Sequence, residues 1–388
     1  MEAKIKNPFL ISGYVSAEYF CDREVESAEL TTSLLNGRNI VLVSPRRMGK
    51  TGLIEHCFHQ KSIKKEYNTF FIDIYATGSL KEFVFILGKQ IFRSLKPKGK
   101  KFVEQFFSSI SSLRPAFKLD SITGQPVFDI GIGDIRQPLV SLEEIFEYLE
   151  AADKPCIVAI DEFQQIIKFP EKNVEAVLRT HIQKCKNTTF VFSGSQRHMM
   201  HNIFFSASRP FYQSASFLNL EPITFDSYCK FVQKHFSKAK KIISDDCIIK
   251  IYNLLEGHTW YMQTIFNRIY EQSDIGKELS VSEVNAIIHV TVESYRTVYQ
   301  SMVTMLPERQ KEILFAIAKE GKATEITSAD FIKKHGLYSP SSVQSATRHL
   351  LDKELITKNE SVYQIYDRFF GLWLSETYGI GYNLNNCK

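Results

Sequence analysis

Three consecutive residues, Gly49, Lys50 and Thr51, carry the groups that a phosphate chain requires. Glycine lets backbone N–H groups approach phosphate oxygens, lysine supplies a positive charge for the outer phosphates, and a threonine hydroxyl is a ligand for Mg²⁺. These residues end the stretch SPRRMGKT, residues 44–51, which fits the pattern G-x-x-x-x-G-K-[ST] except that Ser44 replaces the first glycine. The stretch therefore predicts a phosphate-binding loop. The alternative is a chance Gly-Lys-Thr sequence in a turn.

The sequence around this loop supports the first interpretation. The apolar run 39–43 predicts a strand, and a helix is expected to begin near Lys50. The N–H groups of the loop and of the helix N-terminus would then face one point, where a phosphate chain would neutralise them. Ser44 is acceptable if its backbone stays in an allowed region. The expected nucleotide-binding residues are Pro45, Arg46, Arg47, Met48, Gly49, Lys50, Thr51 and Gly52.

Two of these residues, Arg46 and Arg47, add permanent charges to a loop that mostly needs backbone donors. Because Lys50 and Mg²⁺ would already neutralise the terminal phosphates, at least one arginine should point away from the nucleotide. An outward guanidinium could pair with an acid on another domain and couple that domain to ATP. Two solvated arginines are the alternative.

An acidic pair, Asp161-Glu162, follows the apolar run 156–160. Two adjacent carboxylates repel each other unless a bound cation or water molecule offsets the repulsion. Asp161 can bind Mg²⁺ through water, and Glu162 can orient or deprotonate an attacking water. A solvated strand end is the alternative, but the upstream phosphate loop favours a catalytic pair.

A third polar strand end follows the run 189–193, where Ser195 and Gln196 are found. If this strand lies between the other two, these side chains would lie near a γ-phosphate or a lytic water. Ser195 and Gln196 are therefore the candidates for sensing the phosphate or the water, and an ordinary Ser-Gly turn is the alternative.

Short apolar runs alternate with helical stretches, which is typical of parallel strands covered by helices on both faces. The predicted fold class is therefore α/β, a three-layer domain with a parallel sheet between helices. The predicted strands are residues 39–44, 69–74, 155–160, 188–194 and 215–220, and the predicted helices are residues 50–61, 80–95, 141–150 and 173–185.

The rest of the chain predicts an insertion and two further domains. Within an ATPase core of residues 1–221, residues 100–138 read as two extended runs around a Thr-Gly-Gln-Pro turn, which predicts an inserted hairpin. Residues 222–300 are expected to form a helical domain. Residues 301–388 predict a winged helix, whose helices begin near Pro307, Ser328 and Ser339 and whose wing is formed by 355–358 and 362–365.

The composition is that of an ordinary globular protein. Of 388 residues, 44% are hydrophobic and 23% are charged, and the formal net charge is +5, which permits an anionic partner without requiring one. The seven cysteines form no C-x-x-C pair, which argues against a disulfide framework or a zinc site. No long apolar segment or signal peptide is present in the sequence, so we expect a cytoplasmic protein without a membrane role.

Several ordered stretches resemble one known family. GYVSAEYFCDREVE, NIVLVSPRRMGKTGL, FFIDIYATGSLKEF, IVAIDEF, FVFSGSQRHMM and RPFYQSA are similar to the prokaryotic "archaeal ATPase" family, P-loop ATPases of the AAA+-related STAND group. This resemblance implies that the segment before the first strand contacts adenine. The residues concerned are Tyr19, Phe20, Asp22, Arg23 and Glu24, which by their chemistry could equally form a helix N-terminal region with an aromatic staple.

The resemblance also implies that residues 222–300 form a helical lid that approaches the nucleotide. The family's Gly-x-Pro segment corresponds here to the sequence around Gly257 and His258, without the proline. His258 could reach phosphate or adenine, or it could be a packed, hydrogen-bonded histidine. Arg209 is a candidate arginine finger that would act in cis or across a subunit boundary, and an ordinary surface arginine is the alternative.

Two hypotheses for function remain open at this stage. In the first, the protein is a slow Mg²⁺-dependent ATPase whose ATP and ADP states reposition the lid and the winged helix. In the second, it is a DNA-binding, initiator-like module in which the nucleotide is mainly structural. Residues 305–375 contain ten Lys or Arg and nine Asp or Glu, so contact with a protein partner or self-association is as plausible as contact with DNA.

Overall fold

A computed structural model describes residues 5–95, 110, 112, 118–119, 126–127 and 135–379. The chain forms two compact units. The core unit is Ser12–Ile223, and the helical unit combines the described parts of Met1–Ile11 and Thr224–Lys388. The predicted lid and winged helix thus lie in one unit.

A five-stranded parallel sheet forms the centre of the core unit, with strand order β2-β5-β6-β1-β7. Strand β6 pairs with both β1 and β5, as the proposed role of Ser195 requires. The parallel sheet predicted from the apolar runs is confirmed. Its strands are β1 (Ile40–Val43), β2 (Asn68–Asp73), β5 (Cys156–Asp161), β6 (Thr188–Gly194) and β7 (Ser216–Asn219).

Helices cover both faces of this sheet because its strands are apolar on both sides. Val41 and Val43 pack in one buried cluster, whereas Ile40 and Leu42 pack in the cluster on the opposite face. This alternation follows from the period of two along a strand. The helices of the core unit are α1 (Glu24–Leu35), α2 (Lys50–His59), α3 (Lys61–Glu66), α4 (Leu80–Leu95), α5 (Pro138–Glu150), α6 (Val174–Lys184) and α7 (Arg197–Phe205).

The predicted hairpin insertion at 100–138 is described only in part. Strand β3 (Lys118–Leu119) pairs antiparallel with β4 (Pro126–Val127). Most other residues of this segment lie outside the described residues.

The first part of the helical unit consists of five amphipathic helices. Side chains of Thr224 and Ser280 accept hydrogen bonds from the first turns of two of them, and Ser280 and Glu283 form a reciprocal capping box. None of the helices in the described ranges has the length and apolar character needed to cross a membrane. The helices are α8 (Phe225–Lys238), α9 (Asp245–Leu255), α10 (Thr259–Gln272), α11 (Val281–Glu293) and α12 (Arg296–Thr304).

The second part of the helical unit has the order expected for a winged helix. Ser328 and Ser339 cap the second and third helices, and Pro340 occupies the first turn of the third, where its missing N–H costs nothing. Two antiparallel strands form the wing. The elements are α13 (Glu308–Glu320), α14 (Ala329–His335), α15 (Pro340–Asp352), β8 (Ile356–Asn359), β9 (Val362–Ile365) and α16 (Arg368–Tyr378).

The N-terminal segment packs in the helical unit, although the predicted boundary grouped it with the core. Phe9 is fully buried and contacts the rings of Phe231 and Phe266. The side chains of Asn7 and Asn267 each donate a hydrogen bond to a backbone carbonyl near the other. These contacts explain why residues before Ser12 belong to the helical unit.

Candidate functional site

The loop between β1 and α2 accommodates a serine at its first position without strain. Ser44 is fully buried, and its φ is not positive, so a residue with a side chain fits this backbone conformation as well as glycine does. Gly49, in contrast, has φ 91° and ψ 21°, a left-handed conformation that favours glycine. The departure of Ser44 from the motif therefore leaves the loop conformation intact.

Lys50 folds back across this loop. Its Nζ donates hydrogen bonds to the backbone carbonyls of Ser44 at 2.9 Å and Pro45 at 3.1 Å. Burial lowers the pKa of Lys50, and the negative charges of Asp161 and Glu162 oppose this shift. The ammonium group is thus held at the mouth of the loop, where phosphate oxygens could replace the carbonyl partners.

The two arginines of the loop lie in different environments. The Arg46 guanidinium lies over the ring of Tyr75, 5.3 Å from its centre, which is the geometry of a cation–π contact. Arg47 is exposed and has φ 69°. These positions show where the two charges lie, and the coupling role expected for them stays a prediction.

Thr51 and Asp161 meet at the carboxyl end of the sheet. The Thr51 hydroxyl donates to Asp161 Oδ2 at 3.1 Å, and the backbone N–H of Glu162 donates to Asp161 Oδ1 at 3.0 Å. Both carboxylate oxygens of this buried aspartate are therefore oriented. A hydroxyl and a carboxylate at this distance are suitable ligands for one small, hard cation.

Glu162 is held by two side chains that converge on one of its oxygens. The residue has a left-handed backbone with φ 56° and ψ 41°. The Ser195 hydroxyl donates to Glu162 Oε2 at 2.7 Å, and the Gln164 amide donates a short hydrogen bond to the same atom. The structure therefore brings Lys50, Thr51, Asp161, Glu162 and Ser195 into one cluster.

Gln164 is the member of this cluster that the sequence did not reveal. It is 2% exposed, and its Oε1 is buried with no hydrogen-bond partner among the described residues. A Cβ added to Gly194 would lie 2.6 Å from that oxygen, so Gly194 leaves room for the amide. The available signal was a polar residue, Gln164, next to the buried Phe163 that directly follows the acidic pair.

The aromatic residues before α1 pack against α2. The ring of Phe20 stacks on His56 with centres 4.5 Å apart, and the Tyr14 hydroxyl lies 3.1 Å from His56 Nδ1. Gly52 faces the edge of the Phe20 ring. Burial, followed by the neighbouring His59, lowers the pKa of His56. Tyr19 ends the preceding 3-10 turn, and the adenine contacts implied for Tyr19 and Phe20 stay predictions.

Arg209 lies in an ion pair within the core unit. Its guanidinium is 2.6 Å from the carboxylate of Glu175, in the first turn of α6. Burial raises the pKa of Glu175, and the positive charge of Arg209 opposes that shift. The arginine would have to leave this partner before it could contact a phosphate.

Comparison with known proteins agrees with this geometry. A family model described as an ATPase domain predominantly from Archaea matches residues 20–265, well over half of the chain. The chain belongs to this archaeal ATPase family. Membership of the family supports ATP binding.

The archaeal ATPase domain is followed by a second recognised module, because residues 297–376 match a family described as a "Probable winged helix domain". The Walker-type ATPase paby2304 of Pyrococcus abyssi is similar over 95% of this chain and 99% of its own, with 18% identity and a TM-score of 0.63. The Aeropyrum pernix ORC2 protein, in ADPNP-ADP complexes, is similar over 97% and 99%, with 13% identity and a TM-score of 0.58. These likenesses show the P-loop ATPase fold with a C-terminal winged helix. No match was found among curated proteins.

His258 lies in the helical unit of this archaeal ATPase family member, at the start of α10. A guanidinium nitrogen of Arg368 lies 3.2 Å from His258 Nε2 and also pairs with Glu256 at 2.5 Å. Burial and the positive charge of Arg368 lower the pKa of His258 to about 4. Because a guanidinium can only donate, Nε2 is the accepting nitrogen and the proton of the neutral ring is on Nδ1.

Proposed function

We propose that this protein binds ATP at the phosphate loop and hydrolyses it slowly, so that its nucleotide state controls the helical lid and the winged helix. The observation that carries this proposal is the hydrogen bond between Thr51 and Asp161 beside the buried ammonium of Lys50. A hydroxyl, a carboxylate and an amine at the end of a parallel sheet are the groups that a magnesium-bound triphosphate needs.

The donor set fits Mg²⁺ as the metal that would accompany ATP. Thr51 Oγ1 and Asp161 Oδ2 are hard oxygen ligands, and their mutual hydrogen bond supports a site in which one ion contacts both or reaches Asp161 through water. When bound, Mg²⁺ would neutralise charge on the outer phosphates. Thr51 and Asp161 are the residues that we assign to this role.

Different residues of the site would bind the phosphates, accept the proton and contribute positive charge. Lys50 exchanges its two carbonyl partners for phosphate oxygens, while the backbone of Pro45 to Gly52 surrounds the phosphate chain. Glu162 accepts a proton from the attacking water through the oxygen that is not bonded to Ser195. Arg209 contributes charge in cis or to a neighbouring copy after it leaves Glu175.

The environment of Glu162 supports slow turnover. Two donors on Oε2 fix the orientation of the carboxylate, which must rotate and give up these donors before its other oxygen can hold a water molecule in line with the phosphate. Breaking such charge-assisted hydrogen bonds costs about 1.5–3 kcal/mol each. Basal hydrolysis would therefore be limited until something changes the contacts of Ser195 or Gln164.

The proposed switch acts on the helical unit. The proposed ATPase core lies within residues 1–221, apart from the residues before Ser12 that pack in the helical unit, and it is followed by a lid of 222–300 and a winged helix of 301–388. The lid and winged helix share an ion-pair network in which Glu256 contacts both Lys322 and Arg368. This network supports a switch in which the lid and winged helix move together and not separately.

Binding of DNA or of a protein partner by the winged helix is a second candidate function. The third helix of this module, α15, has exposed polar side chains at Gln344, Ser345, Arg348 and His349, while Val343 and Leu350 are buried. DNA binding predicts that duplex affinity falls steeply with salt and that Arg348→Ala weakens it. Salt-insensitive binding to a protein, or self-association without DNA, would favour the protein alternative.

Calorimetry with Mg-ATP tests the proposed function. Lys50→Ala removes the charge for the outer phosphates and should abolish most of the affinity. Lys64→Ala, which removes an exposed lysine from α3, is the matched control and should bind as the parent does. Unchanged affinity in Lys50→Ala would contradict the assignment of the site.

A further inference from the structure

Arg23 is a buried arginine that joins three parts of the core unit. Only 4% of the residue is exposed. Its Nη1 donates to the carboxylate of Glu26 at 2.6 Å and to the carbonyl of Glu221 at 2.7 Å, and its Nη2 donates to the carbonyl of Met48 at 3.3 Å. One guanidinium thus bonds to α1, to the end of the β7 strand and to the phosphate loop.

The backbone around Arg23 is held in an unusual conformation. Asp22 and Arg23 both have left-handed φ values, 53° and 66°. Such conformations are uncommon for residues with a side chain and cost free energy, so the surrounding structure must maintain them. Here they introduce α1 and accompany an inward-directed guanidinium.

The contact with Met48 bears directly on phosphate binding because of peptide geometry. The carbonyl of Met48 and the N–H of Gly49 belong to one planar trans peptide, in which the two groups point in opposite directions. A donor that fixes the Met48 carbonyl therefore also fixes the direction of the Gly49 N–H. That N–H belongs to the loop residues whose donors would face the phosphates.

The contact with Glu221 connects the same guanidinium to the end of the core unit. Glu221 follows β7 and precedes Pro222, and the core unit ends at Ile223. The chain enters the helical unit at Thr224. A displacement of the Met48 peptide would therefore change one end of a hydrogen-bond network whose other end is the segment leading out of the core unit.

We propose that Arg23 is a positioning residue that aims the Gly49 N–H at the nucleotide phosphates and links the phosphate loop to segment 221–223. This inference rests on the proposed binding of ATP at that loop. It differs from a direct contact between Arg23 and adenine, because the guanidinium acts through backbone carbonyls of the protein. The adenine base of the nucleotide would then contribute the same binding free energy with and without Arg23.

Binding measurements with two triphosphates distinguish these roles. In Arg23→Met, the affinities for ATP and for inosine triphosphate should fall by the same factor, on the order of tenfold, since both lose one oriented N–H donor. Arg23→Lys, which can hold one carbonyl, should lose less. Arg38→Met, in which an exposed arginine of the same unit is replaced, is the control. Circular dichroism confirms that each variant is folded, and Arg23→Lys decides the comparison if Arg23→Met does not fold.

Hydrogen exchange tests the link to the end of the core unit. In the parent, saturating ATP should slow amide exchange in segments 48–52 and 219–224. In the Arg23 variant, the first effect should persist and the second should be lost. Equal protection of 219–224 in parent and variant would overturn the link.

The outcomes separate this inference from the proposed function. If the parent fails to bind ATP, the proposed function fails and the inference fails with it. If the parent binds ATP and the Arg23 variants bind both triphosphates as tightly as the parent, the positioning role alone is wrong. A selective change in the ratio of the two affinities would show that Arg23 reads the base, and would also overturn the positioning role.

Discussion

The hydroxyl of Ser195 lies 2.7 Å from Oε2 of Glu162 and donates a hydrogen bond to it. These residues are at the ends of two neighbouring parallel strands, β6 and β5, so the sheet itself brings them together. The same carboxylate oxygen accepts from Gln164. The carboxylate of Glu162, the proposed general base, is thus restrained by Ser195 and by the buried Gln164.

Replacement of Gln164 tests this restraint. Gln164→Leu keeps the side-chain volume and removes one donor from Glu162. Basal ATP turnover should therefore rise by about 10- to 100-fold, the factor that corresponds to the roughly 1.5–3 kcal/mol of one charge-assisted hydrogen bond, with unchanged ATP affinity. Gln165→Leu is a matched control because Gln165 donates to the Tyr75 carbonyl instead. Phosphate release and calorimetry measure the two quantities.

A double variant shows whether Gln164 acts through Glu162. When Glu162→Gln has already removed the base, adding Gln164→Leu should leave turnover unchanged. A further loss or gain in that background would indicate an effect on the fold or on the nucleotide, and a turnover in Gln164→Leu equal to that of the parent would contradict the restraint.

Gly194 should tolerate no side chain. In Gly194→Ala, the new Cβ would lie 2.5 Å from Met200 Sδ and 2.6 Å from Gln164 Oε1, both of which are buried. We expect a loss of stability of about 1–3 kcal/mol, measured as a shift in the denaturant midpoint. Gly371→Ala is the contrasting control. Gly371 lies within α16, and the atom nearest to an added Cβ would be Ile365 Cβ at 3.7 Å, so alanine should stabilise the helix by about 0.5–1 kcal/mol. Equal effects at both positions would refute the packing argument.

The phosphate loop and its sheet could be predicted from sequence because local patterns specify them. The apolar runs have the period and composition of buried strands, and the Gly49 conformation follows from the turn that the motif imposes. Helix α5 begins at Pro138 and not at 141, since proline fits the first helical turn although it breaks the apolar pattern.

Other parts of the site depend on contacts between distant residues. Gln164 is one of two adjacent glutamines in the turn Phe163–Lys168, and only the position of Ser195 after β6 distinguishes it from Gln165. The partner of Arg209 is Glu175, and two acceptors of Arg23 are the backbone carbonyls of Glu221 and Met48. No side-chain pattern in the sequence predicts these contacts. The grouping of Phe9 with the helical unit likewise required the aromatic rings that surround it.

The stability of the helical unit should depend on the protonation of His258. The pKa of His258 is lowered from 6.5 to about 4 in the folded protein, so the unfolded chain binds the proton more tightly. The contribution to stability is therefore complete above pH 6.5 and is lost as the pH falls towards 4, by as much as about 3 kcal/mol. Both tryptophans, Trp260 and Trp373, lie in this unit, so their fluorescence reports its unfolding.

His258→Gln provides the comparison for this pH dependence. Glutamine can still accept from Arg368 but does not titrate in this range. The variant should lose most of the difference in unfolding free energy between pH 6.5 and pH 4.5 that this histidine causes. A pH profile identical to that of the parent would contradict the assignment.

The ion pair between Arg368 and Glu256 should stabilise the junction of the lid and the winged helix. Their side chains are 13% and 26% exposed, and Lys322 also pairs with Glu256. Arg368→Ala should destabilise the helical unit by roughly 1–3 kcal/mol, because it leaves a partly buried carboxylate with one cation fewer. Lys65→Ala, in an exposed pair with Glu66, should change stability by less than about 0.5 kcal/mol.

The most direct test of the ATPase proposal is single-turnover hydrolysis of Mg-ATP by the parent, Glu162→Gln and Glu66→Gln. Glu66 is exposed and serves as the matched control. We predict that Glu162→Gln binds ATP as tightly as the parent and loses hydrolysis by about 100-fold or more, as expected for removal of a general base. Glu66→Gln should hydrolyse ATP at the parental rate. Equal hydrolysis rates in the parent and Glu162→Gln would contradict the assignment of Glu162, and the absence of hydrolysis in all three proteins would contradict the proposed ATPase activity.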